Sequence, residues 1–255
     1  MLRVENLTKI FPDGTEALHN VSFQVKDGEF LAIIGLSGSG KSTLLRCINR
    51  LIDPTEGRVT WDDEDITAAQ GKELRRIRRH IGLIFQQFNL VKRSSVRTNV
   101  LSGRLGYANQ FLSLFGRFSS QDRQRASAAL ERMGISDKAE NRADQLSGGQ
   151  QQRVGIARAL MQEPRLMLAD EPVASLDPVL AHSILRYLEL LNRQDGITVL
   201  CSLHFLDLVH RYATRVIGLK DGEMVFDGLP SELTAERFKE VYGEEAEMVT
   251  VGGQG

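Results

Sequence analysis

Hydrophobic positions along the chain follow two patterns. Four short runs are apolar without alternation: Phe30-Leu31-Ala32-Ile33-Ile34, Ile81-Gly82-Leu83-Ile84-Phe85, Arg165-Leu166-Met167-Leu168-Ala169 and Ile197-Thr198-Val199-Leu200-Cys201. Short continuous runs bounded by turn or polar residues predict fully buried strands. Helical spacing appears after residue 43 (Leu44, Leu45, Ile48, Leu51), over 72–80 (Leu74, Ile77), and over 122–133, 151–160 and 179–192. Strands alternating with helices predict a mainly parallel, helix-flanked sheet.

The second pattern has period two. Residues 1–30 alternate in short pieces around a turn at Pro12-Asp13-Gly14, and residues 57–62 alternate likewise, so an antiparallel β part is expected near the N-terminus. Residues 216–219 and 224–226 flank Lys220-Asp221-Gly222-Glu223, a hairpin signal. From Phe88 to about Leu160 the pattern is mainly helical, which predicts a helical subdomain inserted into the αβ alternation. The expected division is 1–87 and 161–230 as one core and 88–160 as the insertion. Residues 231–255 are expected as a C-terminal helix and disordered tail.

Composition narrows the class. With 255 residues, 42% hydrophobic and 25% charged, the chain is an ordinary globular one, and a net charge of −1 supplies no global field toward nucleic acid or anionic lipid. The basic run Lys72, Arg75, Arg76, Arg78 and Arg79 reads first as a solvated helix face. Two cysteines, Cys47 and Cys201, are too few for a disulfide framework and suit a reducing compartment. No signal peptide opens the sequence, and no apolar stretch approaches the ~20 residues that cross a bilayer.

The chemistry begins where the first buried strand ends. Gly35-Leu36-Ser37-Gly38-Ser39-Gly40-Lys41-Ser42 has the GxxxxGK[ST] spacing and lies between that strand and a helix. In this context glycines let successive N–H groups converge on a phosphate at a helix N-terminus. Lys41 adds a charge for the β- and γ-phosphates, and the Ser42 hydroxyl is a Mg²⁺ ligand. Three further strand ends carry polar groups: Gln86, the pair Asp170-Glu171, and His204. Ligands of such sheets gather beyond the carboxyl ends of the strands. Asp170 is placed to hold Mg²⁺ and Glu171 to activate water, with Gln86 as a ligand that also senses the water. His204 could contact the γ-phosphate or be structural. Phe11, ahead of the loop, could stack on a base or serve as a core or turn aromatic.

Two other stretches carry signals. Leu146-Ser147-Gly148-Gly149-Gln150 precedes a helix and makes a second anion site from the Ser147 hydroxyl and glycine amides. One phosphate chain cannot easily fill both loops of one molecule, so two molecules head to tail would share two nucleotides. Phe111, Leu112, Leu114, Phe115 and Phe118 form an aromatic cluster with few charges, readable as core or as a docking surface.

In order and spacing, residues 35–42, Gln86, Leu146 to Gln150, Leu168-Ala169-Asp170-Glu171, Ala174-Ser175-Leu176-Asp177 and His204 resemble the ATP-binding subunits of ABC transporters. The resemblance covers residues 1 to about 230 and implies a P-loop NTPase core, with ATP and Mg²⁺ as cofactors. It implies Phe11 under adenine and Gly35, Ser37, Gly38, Ser39, Gly40, Lys41, Ser42 and Thr43 at the phosphates. It further implies Ser42, Gln86 and Asp170 around Mg²⁺, Glu171 as catalytic base and His204 at the γ-phosphate. Ser147, Gly148, Gly149 and Gln150 would meet the ATP of a second subunit, and Asp177 would link the two sites. Phe85 to Val91, the 113–118 segment, Pro172-Val173-Ala174-Ser175-Leu176-Asp177-Pro178 and Asp195 to Val199 are most similar to ATPase subunits of phosphonate and phosphite importers. Leu36 stands where many relatives have Pro, at a position that contributes backbone. The implied partners are a second ATPase subunit, membrane permease subunits and, indirectly, a periplasmic or lipoprotein substrate-binding protein. The implied place is the cytoplasmic face of the membrane. A soluble ABC ATPase of DNA repair or translation is the alternative; it is disfavoured by the single cassette and compact insertion.

Overall fold

The structure, a computed structural model, describes residues 1–107 and 117–243. Near the N-terminus, β1 (Leu2–Ile10), β2 (Glu16–Val25), β4 (Glu56–Trp61) and β5 (Glu64–Asp65) pair antiparallel in the order β2-β1-β4-β5. The larger sheet contains β3 (Phe30–Ile34), β6 (Ile81–Ile84), β7 (Leu166–Ala169), β8 (Thr198–Ser202), β9 (Arg215–Lys220) and β10 (Glu223–Gly228). Their order is β10-β9-β3-β8-β7-β6, parallel throughout except for the β9–β10 hairpin. The expected α/β class, with a mainly parallel sheet and an antiparallel N-terminal part, is the one observed.

The unbroken apolar runs have a direct physical reason. Alternate residues of a strand face opposite sides, and here both sides are covered. Phe30, Ala32 and Ile34 of β3 enter one buried cluster, while Leu31 and Ile33 enter the other. Met167 and Ala169 of β7 likewise face away from Leu166 and Leu168. The first cluster is completed by α3 (Val96–Ser102), α4 (Ser120–Arg132), α5 (Gly148–Leu160) and α6 (Pro178–Asp195). The second is completed by α1 (Lys41–Ile48), α2 (Gly71–Arg78) and the antiparallel sheet. Among the described residues the remaining α-helices are α7 (Leu206–Tyr212) and α8 (Ala235–Tyr242).

Between β6 and β7 the chain forms α3, α4 and α5, which pack on one another. The stretch from Phe88 is less uniformly helical than its pattern predicts. Residues 88–95 are irregular, and between α4 and α5 there are only two short 3₁₀ turns, Ser136–Lys138 and Ala143–Gln145. Helix α5 starts three residues earlier than its spacing suggests, because Ser147 caps it and both glycines enter its first turn. Two arginines of the basic face of α2 are engaged by their own chain, while Lys72 and Arg75 are exposed. Arg76 makes a bidentate pair with Glu64 at 2.8 and 2.9 Å, and Arg78 donates to Asn49 O at 3.0 Å. Phe118 packs against the larger core cluster; Phe111, Leu112, Leu114 and Phe115, and the C-terminal tail, lie outside the described residues.

Candidate nucleotide site

The loop from Gly35 to Gly40 leaves β3 and enters α1 under close constraint. Gly40 caps α1 with φ +101, and a Cβ there would lie 2.4 Å from Ala17 O. Gly35 has φ +147, and its Cβ would lie 2.2 Å from Leu219 O. Only glycine supplies both the backbone angle and the space. Lys41, the first residue of α1, is 3% exposed and curls back so that Nζ donates to Gly35 O at 2.8 Å and Leu36 O at 2.7 Å. Burial lowers its pKa, against the opposing pull of Glu171 and Asp170. Leu36 therefore does supply backbone, as its place in the loop suggested.

Opposite the loop, the ends of β7 and β8 bring the acids into place. Asp170 is 4% exposed and accepts the Ser42 hydroxyl at 2.6 Å, with Arg46 Nη2 at 3.5 Å from its other oxygen. Its own N–H donates to Ile84 O, which ties the acid to the end of β6. Glu171 has φ +46, a left-handed conformation uncommon outside glycine. Its N–H donates to Ser202 Oγ at 2.7 Å, so the turn is held by the end of β8. One carboxylate oxygen of Glu171 accepts Gln86 Nε2 at 2.8 Å, and the other lies 2.8 Å from His204 Nε2. The structure thus brings Lys41, Ser42, Gln86, Asp170, Glu171 and His204 to one place.

A cleft of about 250 Å³ opens here, lined by Ala17, Ser37, Gly38, Gly40, Lys41, Ser42, Thr43, Gln86 and Glu171. That is below the ~300–1,000 Å³ that encloses a whole small-molecule ligand, so it suits a phosphate tail and leaves a base outside. Phe11 lies beyond it, in the turn after β1, with Lys9 Nζ 5.3 Å from its ring centroid. The oxygen donors of Ser42 and Asp170, adjacent and hard, fit Mg²⁺, which favours one or two carboxylates completed by phosphate oxygens and water. Gln86 Nε2 is engaged by Glu171, which leaves its amide oxygen as the atom that would serve as a Mg²⁺ ligand.

None of Ser147, Gly148, Gly149, Gln150 or Asp177 lines the cleft. Ser147 caps α5 reciprocally: its Oγ accepts Gln150 N–H at 3.4 Å while its N–H donates to Gln150 Oε1 at 3.0 Å. That capping box leaves the Gly148 and Gly149 amides at the helix start, where intrahelical partners do not exist. A Cβ on Gly149 would meet Leu180 at 3.0 Å, so the glycine lets α5 and α6 close up. Asp177 is exposed and caps α6, accepting Leu180 N–H at 2.9 Å.

Sequence reasoning missed three groups that position this site. Ser202 and Arg46 could have been suspected, one from its place at a strand end and the other from its helical offset of four from Ser42. Ala17 contributes a carbonyl and had no side-chain signal.

Residues 18–174 match the family model described as ABC transporter. The chain is 55% identical over 250 residues to the phosphonates import ATP-binding protein PhnC of Bdellovibrio bacteriovorus, covering 98% of this chain and 96% of that one. It is 49% identical over 255 residues to phosphonates import ATP-binding protein PhnC 3 of Halalkalibacterium halodurans, covering 100% and 99%. Among solved structures, the dimeric ATP-binding cassette MJ0796, in a post-hydrolysis state bound to ADP and Pi, superposes with a TM-score of 0.80 at 38% identity. That match covers 90% of this chain and 99% of that one. The ADP conformation of MJ1267, an ATP-binding cassette of an ABC transporter, gives 0.82 at 32% identity, covering 99% and 98%. A glycine loop, a strand-end acid pair and a capped second glycine turn, on a fold shared with these cassettes, mean that this chain belongs to the ABC transporter family as one of its ATP-hydrolysing subunits.

Proposed function

We propose that the chain powers import of a phosphonate or phosphite, working as a head-to-tail dimer beneath membrane permease subunits. The cargo rests on one observation: 49–55% identity across nearly the whole chain to relatives named for phosphonate import. The ATPase itself does not bind the cargo, so no side chain of the cleft carries that specificity. A soluble ATPase of DNA repair or translation is disfavoured by those same relatives. Among the described residues no helix is long and apolar enough to cross a membrane, which agrees with a peripheral subunit on the cytoplasmic face. The division into a core (1–87 and 161–230), a helical subdomain (88–160) and a C-terminal segment is part of this reading.

In the catalytic cycle Lys41 and the loop amides bind the β- and γ-phosphates, and Ser42 and Asp170 hold Mg²⁺. Bound there, Mg²⁺ neutralises charge on the transferring phosphoryl group. Glu171 takes the proton of the attacking water, while Gln86 and His204, each now on one of its oxygens, orient that carboxylate. His204 can then turn toward the γ-phosphate. The amides of Gly148 and Gly149, with Ser147 and Gln150, close over the γ-phosphate bound by the other subunit, since they lie outside their own cleft. Phe11 supports the base.

The test is reconstitution of the chain with its permease in lipid vesicles. A cognate binding protein loaded with methylphosphonate should raise ATP hydrolysis at least severalfold over the unloaded protein. Stimulation by phosphate alone, or by no phosphorus oxyanion, would contradict the cargo assignment.

A further inference from the structure

Helix α8 ends in a side chain that reaches the site from beneath. Tyr242 is 1% exposed and stacks on Phe238, with ring centroids 4.2 Å apart. Val241 beside it is fully buried against Gly218 of β9, where a Cβ would lie 2.7 Å from Val241 Cγ2. Gly218 pairs with Ile34, the last residue of β3 before the phosphate loop. The glycine thus lets the helix settle against the sheet at the root of that loop.

The Tyr242 hydroxyl is placed between two backbones. It accepts the N–H of Gly35, the first residue of the loop, at 3.3 Å, and donates to the carbonyl of His204 at 3.5 Å. Burial pushes its pKa up to about 12, so the proton that makes it a donor stays on. Leu203 N–H still bonds Ile33 O at 3.0 Å, so the chain leaves the sheet at His204, where the tyrosine meets it. His204 Nε2 is in turn 2.8 Å from Glu171.

We propose that Tyr242 is a positioning residue for ATP hydrolysis, its hydroxyl tying the first residue of the phosphate loop to the backbone of His204. Both bonds of the hydroxyl are to backbone, so it acts on the reaction indirectly. It sets where the imidazole stands relative to Glu171 and the γ-phosphate, and so rests on the roles given above to His204 and Glu171. This makes the C-terminal helix part of the catalytic framework.

Tyr242→Phe removes the hydroxyl and keeps the ring, its stacking and its burial. Loss of one such bond in the transition state corresponds to about a tenfold fall in kcat. ADP has no γ-phosphate, so its Kd should change by less than about twofold, with the thermal transition kept within a few degrees. Retention of kcat within about twofold would overturn the proposal. So would a parallel loss of kcat and ADP affinity, which would make the hydroxyl a support of the loop alone. His204→Ala, measured alongside, should lose turnover and keep ADP binding. Parental turnover in His204→Ala would overturn the role of His204 and this proposal with it, whereas an inactive His204→Ala beside a fully active Tyr242→Phe would overturn the Tyr242 proposal alone.

Discussion

At the scale of single residues, the polar groups of the site are held partly by one another, as Ser42 on Asp170 and Gln86 and His204 on Glu171, and partly by backbone contacts. Glu171 occupies a left-handed conformation, a state that costs roughly 1–3 kcal/mol and persists only when its surroundings impose it. The imposing contact is Ser202 Oγ, which takes the Glu171 N–H and is itself fully buried. Ser202→Ala should therefore leave ATP affinity within about twofold and lower kcat by about 10-fold, since one buried donor loses its partner and the base loses its aim. Steady-state hydrolysis and nucleotide titration measured together check this, and an unchanged kcat would show that Ser202 only fills the strand end. Most of this residue set was legible beforehand, because glycines at fixed spacing, strand-end acids and a strand-end amide carry chemical meaning in one dimension. What was not legible acts through backbone atoms or over long separation. Ala17 O constrains Gly40, and Tyr242 bonds Gly35 across more than two hundred residues, with nothing in the local sequence to announce either.

At the scale of elements, the strands buried on both faces were the easiest to read, since β3, β6, β7 and β8 show as continuous apolar runs. The first half of β2 was harder to see. Only Leu18 is fully buried before Val21, and Asn20 with φ +50 interrupts the alternation where the register with β1 shifts. The start of α5 was displaced because glycine argues against helix by propensity, while the Ser147–Gln150 capping box and packing on Leu180 outweigh it. Packing also fixes α8, whose docking depends on the missing side chain at Gly218. Gly218→Ala would force a methyl group into the stiff, branched Val241 at 2.7 Å. Overpacking of this kind costs about 1–3 kcal/mol, which lowers the thermal transition of a chain this size by at least about 2 °C. A melting curve coincident with the parent's would show that α8 is not held there.

At the scale of the whole molecule, the proposed dimer would join two half-sites that a single chain keeps apart. The phosphate cleft holds Lys41, Ser42, Gln86 and Glu171, while Ser147 to Gln150 and Asp177 sit outside it, capped and partly exposed. On the proposed reading, a cleft that takes the phosphate tail and a helix start with unpaired amides become one complete site between two copies. On that proposal hydrolysis belongs to the closed pair, and binding and release of phosphate govern its opening. The most direct measurement is the molar mass in solution of Glu171→Gln, which on the proposed roles binds ATP and does not deprotonate water. With ATP it should run at twice the chain mass, with ADP at the single-chain mass. Adding Ser147→Arg to the same chain should keep it monomeric while ATP still binds. A Glu171→Gln chain that stays monomeric with ATP, or a dimer indifferent to Ser147→Arg, would contradict the shared-site account.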